Sequence, residues 1–206
     1  MAESVVDAVH RAYYDEELRA RADRPLTEGR RRRVEEFAAR CGREGLRSVV
    51  EVGCGAGRDG LVLAEAGLAY TGVDLSAVGV EVCRAAGLGA QVASATALPF
   101  AADSFDAGWT MSTLMHLDGD GMSLALAELG RVVRPGGVLE IGVWGRDEDG
   151  EWVDRHGRYF RHRPDDDLRG LLGEIGVVDA FEATDFGLFG AGEENVHYQW
   201  ARVRIA

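Results

Sequence analysis

The chain has 206 residues, of which 46% are hydrophobic and 28% charged, and its formal charge is −12. That length supports one α/β domain with a sizeable core and a cleft. An excess of 35 acids over 23 bases repels polyanions, so neither nucleic acid nor an anionic membrane is expected as a partner.

Every base is arginine and no lysine occurs, which reads as a compositional bias. Cys41, Cys54 and Cys83 match neither a zinc pattern nor a disulfide framework, so no metal is expected and a reducing cytoplasm fits them. The first residues are charged throughout, without the apolar core of a signal peptide. No window of about 18 apolar residues suits a membrane helix. A cytoplasmic protein is therefore expected.

In chain order, residues 3–22 predict a helix, with Val5, Val6, Val9, Ala12 and Tyr13 at helical spacing. After Pro25, Thr27 is placed to cap a second helix ending at Gly42. Its four arginines, 30–33, read as a solvated face offset by Glu28, Glu35 and Glu36. From residue 48 strands and helices alternate: SVVEV, then RDGLVLAEAG, AYTGVD, AVGVEVCRAAG and AQVASA. SFDAGWTM is the fourth strand, GMSLALAELGRVV a helix stopped by Pro135, and GGVLEIGVW the fifth strand. Strands this apolar suit a parallel sheet covered on both faces.

The stretch GRDEDGEWVDRHGRYFRHRPDDD reads as a long polar connection, followed by a helix with Asp165 as cap. VDAFEATDF and VHYQWARVRI then predict an antiparallel pair at one edge of the sheet, joined by the loop GLFGAGEEN. The expected fold is a doubly wound, mainly parallel seven-stranded sheet with an antiparallel final strand and N-terminal helices. The expected layout is a single domain: a helical cap over 1–45, a ligand-binding core over 46–145, and a substrate-side loop with the antiparallel edge over 146–206.

The core opens with Val49-Val50-Glu51-Val52-Gly53-Cys54-Gly55-Ala56-Gly57-Arg58-Asp59-Gly60. A strand that ends in glycines and opens a helix offers bare backbone N–H groups at a positive helix end. Asp74 closes the next strand nineteen residues past Gly55, where a carboxylate can accept both hydroxyls of a ribose. The match to G-x-G-x-x-G leaves dinucleotides and other adenosine ligands both open.

The wider text narrows that choice. Glu51-x-Gly53-x-Gly55-x-Gly57, then YTGVDLS, LPFAADSFDAGWTM and LGRVVRPGGVLEI, resemble in order the motifs of class I S-adenosylmethionine-dependent methyltransferases, over residues 48–145. The resemblance implies S-adenosylmethionine as cofactor and S-adenosylhomocysteine as product. It places Glu51, Gly53, Cys54, Gly55 and Gly57 around the cofactor's amino-acid end and Asp74 on its ribose. Leu75, Ser94, Ala95 and Thr96 fall near the adenine, and Thr110 and Met111 beside the methionine portion. Ser94 stands where the family commonly has an acid. Asp59 is expected either to hold the cofactor's ammonium or to cap its helix. An N-terminal helix acting as a lid would bring Tyr13 over the sulfonium by a cation–π contact.

His116, after the fourth strand, is the candidate general base. Tyr14, Met115, Arg158, Phe160 and His197 are candidate acceptor contacts, while core packing accounts for Tyr198 and Trp200. The expected activity is methyl transfer to an oxygen or nitrogen of a small metabolite or natural product by a monomer or homodimer. A peptide acceptor, a nicotinamide-dependent oxidoreductase and a non-catalytic cofactor-binding protein are the alternatives.

Overall fold

The computed structural model of the chain describes residues 4–21, 24–187 and 195–206. Most of the loop GLFGAGEEN lies outside them. The strands are β1 (Ser48–Val52), β2 (Ala69–Asp74), β3 (Ala90–Val92), β4 (Phe105–Met111), β5 (Val133–Gly145), β6 (Gly150–Val153), β7 (Tyr159–His162), β8 (Gly176–Gly187) and β9 (Asn195–Ile205). The helices are α1 (Val5–Arg21), α2 (Glu28–Glu44), α3 (Arg58–Glu65), α4 (Ala77–Ala85), α5 (Gly121–Val132) and α6 (Asp165–Gly173).

One seven-stranded sheet runs in the order β3-β2-β1-β4-β5-β9-β8. β1 to β5 are parallel, and β9 is antiparallel to both of its neighbours. The final strand is thus inserted between β5 and β8. Strand order reverses between β1 and β4, and there the carboxyl ends of the strands leave a crevice.

Burial explains the apolar strands. Val49, Val50 and Val52 are buried whichever way they point, as a central parallel strand requires. On one face α5 and α6 bring Leu126, Leu129, Val132, Leu168 and Leu172 against β4 and β5. On the other, Val34, Phe37, Ala38 and Cys41 of α2 pack against Trp109, Val138 and Trp200. α1 lies against α4 at the crevice end.

Several boundaries differ from the sequence expectations. Thr27 does cap α2, its Oγ1 accepting the Arg30 N–H at 3.3 Å. The helix runs past Gly42, however, and ends on Gly45 in the left-handed region at φ 70°. A mid-helix glycine costs only about 1 kcal/mol, which burial of the apolar face outweighs. The third strand is three residues, not six. Pro135 does not stop α5; the helix has ended at Val132, and β5 already starts at Val133.

The long polar connection contains a hairpin. β6 and β7 pair antiparallel from Gly150↔His162 to Val153↔Tyr159. Asp154 and Gly157, at φ 80°, make its turn. Asp165 is not the cap of α6. Pro164 occupies that position, and the Asp165 carboxylate accepts from the Gln199 amide at 2.8 Å.

Candidate active site

The crevice holds a cavity of about 820 Å³ between the carboxyl edge of the sheet and helices α1 and α2. Its floor is the glycine loop after β1. Gly53 has φ 79°, and a Cβ there would stand 2.1 Å from Thr113 Oγ1, so only glycine fits. Gly55, at φ 51°, directs its N–H to Asp74 Oδ2 at 2.7 Å. The Ser76 N–H donates to Asp74 Oδ1 at 2.8 Å. Each carboxylate oxygen therefore keeps a lone pair for one hydroxyl of a vicinal diol. Burial pushes the Asp74 carboxyl above its usual range, against those backbone bonds.

A pair of buried acids, Glu51 and Asp59, lies beside the loop. Glu51 is buried and accepts from the Tyr70 hydroxyl at 2.6 Å. Burial, and then the nearby Asp59, push its carboxyl well above the ordinary range. Asp59 is taken by the Arg30 guanidinium, with Nε at 2.8 Å and 3.1 Å and Nη2 also bonded, and by the Trp109 indole N–H at 2.8 Å. It neither caps α3 nor stands free for an ammonium. The arginines 30–33 are accordingly not one solvated face. Arg30 turns inward, Arg33 lies over the Trp200 ring at 4.1 Å and bonds Glu182 at 2.9 Å, and Arg31 pairs with Glu35 on the surface. Arg32 sits at the cavity rim.

The other end is polar and aromatic. His116 Nδ1 is 3.0 Å from the Tyr159 carbonyl, which fixes the proton on Nδ1. Nε2 then accepts from the Tyr14 hydroxyl at 3.0 Å. The Tyr159 N–H donates to His10 Nε2 at 3.0 Å. Two histidines, one on α1 and one after β4, thus grip the main chain of one β7 residue and hold α1 over the site. Arg158, clamped by Asp154 at 2.7 Å and 2.8 Å, reaches the Tyr14 oxygen at 3.4 Å.

Burial pushes His116 down to about 3, so it is neutral at neutral pH. In the unfolded chain a histidine protonates near about 6.5. Between these values the unfolded state binds the extra proton, so His116 lowers stability as pH falls from about 6.5 towards 3. Glu51 acts with the opposite sign, because its raised carboxyl takes up a proton more readily in the folded state. The histidine effect is therefore read as a difference. Wild type is expected to lose Tm relative to His116→Asn as pH drops below about 6.5, and an unchanged difference contradicts the assignment.

Of the residues singled out in the sequence, Tyr14, Glu51, Gly53, Cys54, Gly55, Asp74, Leu75, Ser94, Ala95, Met111 and His116 line the cavity together. Eight others stand apart from its lining. Tyr13 faces away, under the Arg158 guanidinium at 4.4 Å and beside His156. Gly57 caps α3, close to the Cys83 sulfur. Thr96 bonds Ser94 at 2.9 Å. Thr110 and Met115 are buried, and Thr110 Oγ1 has no hydrogen-bond partner among the described residues. Arg158 is held by Asp154, Phe160 lies between Trp144 and Trp152, and His197 lies between Asp165 and Asp185.

Sequence reasoning missed Arg30, Ser112, Thr113, Trp144 and Tyr198, which all line the cavity. Ser112, Thr113 and Trp144 follow or end strands at the carboxyl edge, and that position was the available signal. Tyr198 carried none, because alternation on β9 gives a face but not a reach.

Residues 50–141 match the family model described as a methyltransferase domain. Methyltransferase GfsG of Streptomyces halstedii is 35% identical over 127 residues, 57% of this chain and 45% of that protein. An uncharacterized methyltransferase of Mycobacterium sp. (strain JLS) is 33% identical over 174 residues, 76% of this chain and 68% of that one. The chain spans about half the length of GfsG and of O-methyltransferase resE of Aspergillus sclerotiorum, at 45% and 52%. Among solved structures, Burkholderia thailandensis 1,6-didemethyltoxoflavin-N1-methyltransferase, with bound 1,6-didemethyltoxoflavin and S-adenosylhomocysteine, shares the fold. Its TM-score is 0.71 at 20% identity, over 100% of this chain and 92% of that one. Ordered motifs, sheet order, glycine loop and these likenesses agree: the chain belongs to the class I S-adenosylmethionine-dependent methyltransferases, and its cofactor is S-adenosylmethionine.

Proposed function

We propose that the chain methylates an oxygen or nitrogen of a small metabolite or natural product, with oxygen preferred. One observation carries the proposal. A single cavity of about 820 Å³ joins the Asp74 and glycine-loop end to the Tyr14, His116 and Tyr198 end beneath two helices. That lies towards the top of the range of about 300–1,000 Å³ for small-ligand clefts, which suits a cofactor and a compact acceptor side by side. The relative resE is named an O-methyltransferase, which agrees with the preference for oxygen.

The residues present fit the cofactor. Asp74 offers two acceptor oxygens to the ribose. Leu75 and Ala95 offer apolar contact to the adenine. Ser94 is engaged with Thr96 through both its hydroxyl contact at 2.9 Å and the Thr96 N–H at 3.3 Å, so polar contact to the adenine edge falls to the main chain. Gly53 and Gly55 leave the floor bare for the amino-acid end.

When bound, the cofactor supplies an electrophilic methyl on a sulfonium. The chain's contribution is alignment and exclusion of water, and alignment alone is worth up to about 7–11 kcal/mol in well-oriented systems. His116, neutral and already bonded at both ring nitrogens, positions Tyr14 rather than storing a proton. The Tyr14 oxygen, its own proton held by His116 and one lone pair turned to Arg158, offers its other lone pair to an acceptor O–H, whose proton is released to solvent as the methyl is transferred. Tyr14→Phe removes that contact and is expected to lower kcat/KM about tenfold, with S-adenosylhomocysteine affinity unchanged by calorimetry. A methyl-donor turnover assay over phenols, amines and carboxylates tests the activity itself. Absence of turnover on the whole panel, with the cofactor tightly bound, would favour a non-catalytic role or a peptide acceptor.

A further inference from the structure

Trp144, next to last in β5, stands at the carboxyl edge and lines the cavity. Phe160 of β7 stacks on it with ring centres 5.7 Å apart and planes 15° apart. Trp152 of β6 stacks on Phe160 at 4.6 Å and 14°. His116 meets Phe160 edge-on at 4.5 Å. The hairpin that reads as a polar connection therefore builds a ladder of three near-parallel rings. Its inner rung is the only one of the three that lines the cavity. Phe160 backs the indole and prevents its retreat, so Trp144 offers the cavity a flat, rigid apolar surface.

The polar groups nearby define which end of a ligand points where. Gly142 has no side chain, and a Cβ there would stand 2.1 Å from the Tyr198 hydroxyl. That gap lets Tyr198 lie across β5, with its hydroxyl 3.5 Å from Ser112 Oγ. Ser112 is a non-glycine residue at φ 56°, a left-handed conformation that costs energy and concentrates at functional sites. Tyr14, with its proton on His116, faces the same space with lone pairs. The Arg158 guanidinium, paired with Asp154, stands behind Tyr14 and donates to its oxygen at 3.4 Å, which takes one of the two lone pairs. A neutral hydroxyl that donates to the remaining Tyr14 lone pair suits this end; an oxyanion has no proton to donate, and an ammonium would bring a second cation beside Arg158.

We propose that the acceptor is a planar aromatic alcohol, a phenol or hydroxylated heteroaromatic, stacked on Trp144 with its hydroxyl directed at Tyr14. Stacked, offset rings of this kind attract beyond simple burial. The proposal rests on the methyltransferase reading and narrows its acceptor to one chemical class.

Calorimetry on the S-adenosylhomocysteine-loaded chain tests it, with 2-naphthol, its saturated analogue decahydro-2-naphthol, and 2-aminomethylnaphthalene as probes. The aromatic alcohol is expected to bind about tenfold or more tighter than either of the other two. Trp144→Ala should abolish the preference over the saturated analogue, and Trp144→Phe, which keeps a ring, should retain most of it. S-adenosylhomocysteine affinity should be the same in all three proteins, which also reports that the variants are folded. Equal binding of 2-naphthol and its saturated analogue, or a preference that survives Trp144→Ala, overturns the proposal while leaving methyl transfer intact. A preference for the amine overturns the hydroxyl assignment. Failure of the wild-type chain to bind S-adenosylhomocysteine would overturn the methyltransferase reading and this proposal together.

Discussion

Asp74→Ala is expected to weaken S-adenosylhomocysteine binding at least about 100-fold, measured by isothermal titration calorimetry. Two hydrogen bonds to a charged acceptor are lost, at about 1.5–3 kcal/mol each, and about 1.4 kcal/mol is a factor of ten. The substitution acts on the loop as well. Gly55 and Ser76 both donate to this carboxylate, so their N–H groups lose a partner and the left-handed bend at Gly55 is less well fixed. Asp74→Asn separates the two effects. An amide keeps one acceptor oxygen, and its NH₂ group faces a backbone donor, so an intermediate loss of about tenfold is expected. Binding by Asp74→Ala within about threefold of wild type would mean the ribose lies elsewhere.

The largest expected effect on stability is at Arg30. Arg30→Ala leaves the Asp59 carboxylate, only 4% exposed, with the Trp109 N–H as its remaining partner and with buried Glu51 nearby. Removing one member of a buried pair costs about 3–5 kcal/mol, to be read from urea denaturation. The double variant Arg30→Leu/Asp59→Leu should recover much of this, because two apolar side chains leave no orphaned charge; the Trp109 N–H then lacks a partner, so recovery is incomplete. Arg33→Ala provides the contrast. Its partner Glu182 is 57% exposed, so the loss of that ion pair should stay within about 1 kcal/mol. If Arg30→Ala costs no more than Arg33→Ala, the inward pair does not hold α2 to the loop.

The features legible in the sequence are those that one segment imposes on its own backbone. SVVEV is continuous and apolar because β1 is covered on both faces. Gly53 and Gly55 must be glycine because their φ angles are positive. Asp74 ends the strand that pairs in parallel with β1, and so lies beside that bend. Thr27 caps α2 through a contact three residues away.

What escaped notice depends on partners far along the chain. Arg30 and Asp59 are separated by 29 positions, and nothing local tells an inward arginine from the solvated ones beside it. Tyr13 and Tyr14 are adjacent on an amphipathic helix, and only the rotation of α1 against β7 decides which one reaches the cavity. The position of His116 just after β4 was readable. Its neutral form was not, because that comes from burial under distant parts of the chain; the carbonyl that fixes its tautomer belongs to Tyr159, 43 residues later. Tyr198 reads as core on alternation, but Gly142 on the neighbouring strand gives it room to extend into the site. The β6–β7 hairpin is masked by its charged residues, and its Trp152 and Phe160 gain meaning only once stacked behind Trp144.

A crystal structure of the chain with S-adenosylhomocysteine tests the central claim most directly. Both ribose hydroxyls should lie within hydrogen-bond distance of the Asp74 oxygens, with the adenine against Leu75 and Ala95 and the sulfur opening towards Tyr14 and Trp144. Density for the ligand anywhere else, or a ribose out of reach of Asp74, would contradict the account.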